Sequence, residues 1–470
     1  MINRLVKTTG VAACALFASL ASHSVFAKQL TDAQTAEVKL LQQTALQSNL
    51  AYDLDESLTT EVGARMIGTE GDRKSVAWAI DKMKALGFDR VWTEEANYIP
   101  WIRGEEKASI VKPYPQKLVV TALGGSVATP ESGIEAPVVH FENLDALKKA
   151  EAGSLKGKIA FISERMERHK TGKGYGKAVG GRSQGAIAAA EKGALALVIR
   201  SIGTDNDRVA HTGMMRYDDK ITKIPAAALS NPDADMLERQ ISRGKEVVIT
   251  LKLDTKRLVD EPITTSTVIG ELTGSEIPEE FVIMAAHLDS WDVGTGAVDD
   301  GIGVGITMAA AAHIAKLPAR PKRSIRVILW AGEEVGLVGV KQYVKDHQHD
   351  MDKHIIGAEW DFGTHRIYKM TPGVGPKALY HIDELAGLLA PLGISQSPEN
   401  NAKGQSDLSL LGKAGMPAIN FHVDGIDYFD VHHTENDTLD KVDPEAMKHG
   451  TAVYVTFSYF AAQSGIDFRK

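Results

Sequence analysis

The sequence predicts an α/β protein whose main unit is a mixed, mostly parallel sheet flanked by helices, with a β-rich unit inserted ahead of it. From residue 261 onward the order strand, loop, helix repeats, which is the order that builds such sheets. Four apolar runs stand out, at residues 281–286, 324–330, 354–360 and 416–421. Open α/β sheets bind ligands beyond the carboxyl ends of their strands, so a site is expected after these runs.

The chain before residue 261 divides into three segments. Residues 1–27 form a leader, and residues 28–116 show helical and strand-like patterns that we assign to the N-terminal part of the main domain. In residues 117–260, short β-branched runs alternate with glycine-rich turns, and no set of acids, bases or metal ligands recurs. We therefore expect an inserted unit over 117–260 and a catalytic domain over 261–470.

The leader has the three-part pattern of a secretory signal peptide. Arg4 and Lys7 precede an apolar stretch, and Val25 and Ala27 are small residues spaced for cleavage before Lys28. The stretch is too short to cross a bilayer, so no membrane anchor is expected. A buried N-terminal helix is the alternative, and the abundance of small residues disfavours it. We expect an exported protein, either periplasmic or secreted.

Cysteine content and charge exclude several classes of protein. Cys14 is the only cysteine and lies in the leader, where a lipid anchor on it is a further alternative. The mature chain would have no disulfide, no thiolate metal ligand and no cysteine nucleophile, so His, Asp and Glu must bind any metal. The net charge is −8 and no basic run occurs, which argues against a nucleic-acid partner.

Acidic residues and histidines follow the four apolar runs. They are His287 and Asp289, Asp299 and Asp300, Glu333 and Glu334, Asp361, and His432 and His433. Singly, each has an ordinary explanation, such as a helix cap, a solvated turn or an acid at a helix N-terminus. Together, carboxylates that converge on one sheet edge would repel one another unless positive charge lay between them.

Two divalent metal ions would supply that positive charge. Zinc accepts nitrogen and oxygen ligands where no thiolate is present, and cobalt or manganese would fit similar ligands. Roughly three ligand carboxylates and one bridging hydroxide would balance the charge of two zinc ions. The sequence therefore predicts two Zn²⁺ ions per chain.

Taken as a set, these residues resemble the co-catalytic zinc exopeptidases related to bacterial leucyl aminopeptidases and glutamate carboxypeptidase. The closer resemblance is to the carboxypeptidase Q subgroup, and four segments carry it: residues 100–106, 287–294, 296–301 and 432–438. The resemblance covers nearly the whole mature chain. It implies a zinc exopeptidase fold, a protease-associated domain over residues 117–260, and a homodimer.

The resemblance also implies a division of the metal ligands. His287 and Asp361 would bind one zinc ion, Glu334 and His433 the other, and Asp299 would bridge both. His433 is preferred because it directly precedes a threonine and lies four residues before an aspartate, and its neighbour His432 is the fallback.

Further roles are implied for residues beside the ligands. Glu333 would be the general base that takes a proton from the water shared by the metals. Asp289 would orient His287. Gln405, Ser406 and Asp407 would contact the end of the substrate. The His211-Thr212-Gly213 loop could reach the substrate too, although we expect it to be a solvated loop.

These inferences predict an exopeptidase that hydrolyses dipeptides or short peptides with free termini. An aminopeptidase, or a hydrolase of a non-peptide amide, is the alternative with the same metal ligands, because the same water attack serves any amide. A non-catalytic receptor on this fold would have lost ligands. None is missing here, and Glu333 is present.

The leader prediction has a direct test. N-terminal sequencing of the exported protein should find a chain that starts at or near Lys28. An exported chain that keeps Arg4 and Lys7, or one that carries a lipid on Cys14, would contradict a cleaved signal peptide.

Overall fold

The computed structural model describes residues 28–470, so the predicted signal peptide and its alternatives lie outside the described residues. Helices and strands alternate along this part of the chain. The α-helices are α1 Asp32–Leu46, α2 Leu50–Glu61, α3 Glu70–Ala85, α4 Leu144–Lys148, α5 Tyr175–Glu191, α6 Asn231–Ile241, α7 Ile302–Ala315, α8 Val338–Asp346, α9 Pro376–Leu389, α10 Leu408–Lys413, α11 Tyr428–Val431 and α12 Pro444–Gln463. The strands are β1 Arg90–Tyr98, β2 Trp101–Lys112, β3 Gln116–Leu118, β4 Val120–Ala122, β5 Ile134–Phe141, β6 Ile159–Ile162, β7 Ala196–Arg200, β8 Ala226–Leu229, β9 Val248–Arg257, β10 Ile263–Leu272, β11 Ile277–His287, β12 Arg323–Trp330, β13 His354–Glu359, β14 Ile367–Gly373, β15 Ser395–Gln396 and β16 Ala418–Val423.

Eight strands form the first sheet, in the order β1-β10-β12-β11-β13-β16-β14-β15. The central strands β12, β11, β13 and β16 are parallel, and they correspond to the four apolar runs of the sequence. Antiparallel pairs with β10 and β14 extend the sheet on either side. The prediction of a mixed α/β fold with helices on both sheet faces is confirmed.

The central strands are mostly apolar because helices cover both faces of the sheet. Every residue of β12 and of β13 is buried. On β11, Val282 and Met284 belong to the cluster that packs against α7 and α12, whereas Ile283 and Ala285 belong to the cluster with α8 and α10. Alternation along a strand sends neighbours to opposite faces, so both sets must be apolar.

A second sheet lies within residues 101–257, in the order β3-β2-β9-β5-β6-β7-β8-β4. The chain leaves the first sheet after β1 and returns at β10, and these two strands pair with each other from Arg90↔Glu271 to Tyr98↔Ile263. The second unit is therefore inserted between two neighbouring strands. It takes in residues 101–116, which we had assigned to the N-terminal part of the main domain, because β2 pairs with β9.

The inserted unit packs directly on the loop that follows β11. Arg103 forms an ion pair with Asp292, with 2.9 Å between Nε and Oδ2. Trp291 lies against the backbone at Gly124, where a β-carbon would come within 2.1 Å of the indole ring. Only glycine therefore allows this contact. Within residues 28–470 no helix is long and apolar enough to span a bilayer.

Candidate metal centre

His287 is the last residue of β11, and its ring is fully buried among carboxylates. Its Nε2 atom lies 3.0 Å from Asp299 Oδ1 and 3.5 Å from Asp361 Oδ1. The other ring nitrogen, Nδ1, lies 2.9 Å from the carbonyl oxygen of Asp289 and can donate a hydrogen bond to it. Such a bond fixes the ring and leaves the Nε2 lone pair facing the two carboxylates.

Asp299 lies between two groups of side chains, on the loop that leads from β11 to α7. Its Oδ1 atom faces His287, while its Oδ2 atom lies 3.5 Å from His433 Nε2 and 3.7 Å from His432 Nε2. Asp299 thus belongs to two groups of possible ligands. One group also contains His287 and Asp361, and the other contains the two neighbouring histidines. One carboxylate with an oxygen toward each group has the arrangement of a bridging ligand.

The donor atoms are spaced as ligands of a small cation would be. Tetrahedral zinc with bonds of about 2.0–2.2 Å holds its ligand atoms roughly 3.3 Å apart. Here Glu334 Oε2 lies 2.9 Å from His433 Nε2. Asp299 Oδ2 and Glu334 Oε1 are buried and have no hydrogen-bond partner among residues 28–470. Because buried oxygens normally have a partner, these residues fit zinc or a similar divalent ion.

The pKa values show why this cluster needs a cation. Burial raises the pKa of Glu334 well above its ordinary value, and the Asp299 charge raises it further. Burial and the Asp361 charge raise the pKa of Glu333 to about 8. Burial also lowers the pKa of His433 well below its usual value, which favours the neutral imidazole that binds metals. A bound cation would let the carboxylates ionise.

The structure brings both adjacent histidines to the cluster. The rings of His432 and His433 are stacked with 3.5 Å between centroids, and both lie beside Asp299. Among the ion pairs of residues 28–470, only His433 contacts Glu334. His433 also has a φ of 60°, which costs a non-glycine residue about 1–2 kcal/mol. These two features favour His433 over the fallback His432 as the ligand.

Glu333 lies in the same cleft and is held at two points. Its Oε1 atom accepts a hydrogen bond of 2.7 Å from Ser406 Oγ, and its backbone N–H donates to Asp289 Oδ1 at 3.0 Å. The Asp289 carboxylate is 3.8 Å from His287 Nδ1, farther than the Asp289 carbonyl oxygen. Asp289 therefore contacts His287 through its backbone and positions Glu333 through its side chain.

Of the three residues predicted to contact substrate, only Ser406 lines the cleft. Asp407 is fully buried immediately before α10, and burial together with the Glu359 carboxylate raises its pKa well above the ordinary value. Gln405 is half-buried outside the cleft lining. The turn into α10 directs consecutive side chains to different sides. Three adjacent polar residues in a sequence do not indicate which of them faces the cleft.

The cleft has a volume of about 840 Å³ and two walls. The first unit supplies the metal-centre residues and a set of aromatic rings. The inserted unit supplies the facing wall, which includes Tyr175, Arg182, Met214, Met215 and Arg216. A site bounded by both units can enclose a small molecule beside the metal centre.

The loop at residues 211–213 is not solvated, contrary to our expectation, and it lies against the metal-centre histidines. His211 and Thr212 are buried. The backbone N–H of Thr212 donates to the His433 carbonyl oxygen at 3.0 Å, and the Thr212 carbonyl oxygen lies 3.3 Å from His433 Nδ1. His211 Nδ1 is 2.8 Å from the His432 carbonyl oxygen, and Asp205 holds the other ring nitrogen. The inserted unit thus fixes the backbone and ring of His433.

Arg65 is a second positioning residue that the sequence did not reveal. Its guanidinium is fully buried and donates to the carbonyl oxygens of Leu288, Thr295 and Gly296, at 2.5 to 2.7 Å. These residues belong to the loop between His287 and Asp299. A lone arginine after a helix has no local signature, because its partners are more than two hundred positions away.

Removal of the His211 ring should weaken one metal position more than the other. In His211→Ala the His432–His433 segment loses its anchor, so we expect metal affinity at His433 to fall about 10–100-fold. This loss is measured by titrating the metal-loaded protein with chelators of increasing affinity and determining how much metal stays bound per chain. The exposed His349 provides a control, since His349→Ala should keep wild-type affinity. Equal loss at both positions would contradict the local anchoring.

Comparison with known proteins identifies the family to which this chain belongs. Residues 267–458 match the profile of Peptidase family M28. Carboxypeptidase Q of Mus musculus is 34% identical over 414 residues, which span 88% of this chain and 86% of that protein. Carboxypeptidase Q of Xenopus laevis is 36% identical over 415 residues, with 88% and 86% covered.

A solved structure shares the whole architecture. The Peptidase M28 precursor from Shewanella amazonensis SB2B superposes with a TM-score of 0.91 at 51% identity, over 93% of this chain and 99% of that one. The inserted sheet is thus part of the shared fold, since residues 101–257 fall largely within the matched length. With its residues, its sheet order and these similarities in agreement, the chain belongs to peptidase family M28.

Proposed function

We propose that this M28 metallopeptidase is a zinc-dependent exopeptidase that hydrolyses dipeptides or short peptides with free termini, as in carboxypeptidase Q. One observation carries the proposal. Buried carboxylates and histidines, several of them with donor atoms that have no partner within residues 28–470, converge in a cleft of about 840 Å³ that lies between two walls. A cleft closed on two sides suits the end of a chain, or a very short chain, better than the middle of a long one.

Two zinc ions would be held by the residues already described. His287 and Asp361 would bind one ion, Glu334 and His433 the other, and Asp299 would bridge them. When bound, the ions would polarise the scissile carbonyl group and make water a stronger nucleophile at neutral pH.

Glu333 is suited to move the proton in this reaction. It lines the cleft next to Glu334, and its hydrogen bonds to Ser406 and Asp289 fix the carboxylate and its backbone. Glu333 would take a proton from the attacking water and pass it to the amine that leaves. Because Ser406 donates to only one oxygen, the other oxygen remains free to accept that proton.

The inserted unit is, in this proposal, a protease-associated domain that closes the cleft. Its loop at 211–213 fixes the metal-centre histidines, and its helix α5 supplies part of the facing wall. Exclusion of water by this wall would strengthen every electrostatic interaction within the cleft. Export after removal of the leader, and assembly as a homodimer, complete the proposal.

A substrate panel tests the reaction class. Purified mature protein should cleave free dipeptides, and a chelator should abolish that cleavage. N-blocked dipeptides, dipeptide amides and aminoacyl anilides complete the panel. Cleavage mainly of the anilides and amides would identify an aminopeptidase instead. Failure to cleave any peptide, with two zinc ions bound, would point to a non-peptide amide as substrate.

Glu333→Gln tests the general base. The amide keeps the size of the side chain and can still contact Ser406, but it cannot take a proton, so kcat should fall by about 10²–10⁴-fold. Zinc content and thermal stability should stay unchanged. Glu435→Gln is the matched control, because Glu435 is exposed on the loop that carries His433. Near-normal turnover in Glu333→Gln would exclude Glu333 as the base.

Asp299→Ala tests the bridge. Because one carboxylate faces both ligand groups, its removal should release both metals together, whereas removal of a terminal ligand should affect one. Metal analysis by mass spectrometry gives the number bound per chain. Asp53→Ala serves as control, since Asp53 is exposed on α2. Two zinc ions retained by Asp299→Ala would show that the residue does not bridge.

A further inference from the structure

One buried guanidinium in the cleft lacks a counter-ion. Arg182 lies on α5 of the inserted unit, is only 6% exposed and lines the cleft. Within residues 28–470 it forms no ion pair with a carboxylate, whereas Arg103, Arg200, Arg323 and Arg326 each do. Arg65 is also buried without an ion pair, but all three of its guanidinium nitrogens donate to carbonyl oxygens, whereas the Arg182 Nε–H has no acceptor in the described part of the chain. A buried charge without a partner is costly and therefore rare, so its environment calls for an anion.

The contacts of Arg182 hold the guanidinium in place but leave donors free. One terminal nitrogen donates to Tyr175 Oη at 2.5 Å, and the other donates to the Thr212 carbonyl oxygen at 3.3 Å. Its Nε–H has no hydrogen-bond partner in the described part of the chain. The planar group lies against Gly213, where a β-carbon would come within 2.1 Å of it. Only neutral groups therefore hold the Arg182 guanidinium, which presents its N–H donors as a planar fork.

Arg182 is close to the metal centre but on the opposite wall. Tyr175, which accepts its hydrogen bond, packs edge-on against His432 with 5.5 Å between ring centroids. The acidic residues that line the cleft are all at the metal centre: Asp299, Glu333, Glu334 and Asp361. The inserted unit, in contrast, contributes only positive charge to the cleft lining, from Arg182 and the exposed Arg216. Lys341 of the first unit lines the cleft too, but it is exposed and donates to the Gly336 carbonyl oxygen.

We propose that Arg182 binds the free carboxylate of the peptide substrate, and so selects short peptides with an unblocked carboxyl end. The inference rests on the proposed peptidase function and adds a specificity residue to it. A guanidinium presents paired N–H donors that match the two oxygens of a carboxylate, which an amide or ester cannot match. The Tyr175 side chain lies between the Arg182 guanidinium, which bonds to its hydroxyl group, and the His432 ring. A carboxylate bound by Arg182 would therefore be close enough to the metals for a short peptide to reach both.

The test compares one dipeptide with its carboxyl-terminal amide. In wild-type protein, kcat/KM for the free acid should exceed that for the amide. Arg182→Met keeps the bulk of the side chain but removes the charge and the fork. It should lower kcat/KM for the free acid by about 10–100-fold, mainly through a higher KM, and change the amide by less than about 3-fold.

Two further variants separate binding from structure. Arg182→Lys keeps a positive charge without the fork, so its acid-to-amide ratio should fall between those of wild type and Arg182→Met. If Arg182→Met fails to fold, the ratio in Arg182→Lys decides the question. Arg239→Met is the matched control, because Arg239 is an exposed arginine on α6 of the same unit and lies outside the cleft lining, and its acid-to-amide ratio should equal that of wild type.

Chemical rescue gives an independent measurement. Guanidinium chloride at millimolar concentration, well below denaturing levels, should restore activity of Arg182→Ala toward the free acid and have no effect on the amide. Equal loss of acid and amide hydrolysis in every Arg182 variant would overturn the inference and leave Arg182 a support for Tyr175 and Thr212. Wild-type protein that cleaves no peptide would instead refute the proposed function, so the two failures are distinguishable.

Discussion

The structure of the site depends on one constraint, which is that several carboxylates are packed together with little of their surface exposed to water. Asp299, Glu334 and their neighbours are buried at the carboxyl ends of parallel strands, and several of their oxygens have no partner within residues 28–470. Such a cluster is stable only around positive charge. Strand order, loop length and helix packing in the first unit all serve to bring these side chains to one point.

The inserted unit is part of that centre rather than a separate module. Its sheet begins and ends between two paired strands, so its position relative to the main sheet is fixed at both ends. Its 211–213 loop pairs with the backbone of His433, and Arg103 ties it to the loop after β11. His433, the candidate ligand, is held in a left-handed conformation that strains its backbone, so it needs this support.

The two units contribute opposite net charges to the cleft, and this difference bears on which end of a peptide is cleaved. The metal ligands alone serve any amide, so they do not distinguish an amino-terminal from a carboxyl-terminal cut. The two kinds of cut differ in where the charged terminus of the substrate that lies away from the metals can bind. In our proposal that place is Arg182, which forms no ion pair within residues 28–470 and comes from the unit whose sequence showed no chemical motif.

The sequence by itself determined the central strands, because their apolar runs fit strands covered on both faces. It also predicted the candidate metal ligands and the candidate base, because these residues directly follow the apolar runs. The tertiary structure decided the rest. It placed residues 101–116 in the second sheet and left Asp407 outside the cleft lining. It also brought the 211–213 loop against His432 and His433, and Arg182 into the same cleft. These are contacts between residues far apart in the chain, and no local pattern encodes them, since their energy arises only when the two units pack together.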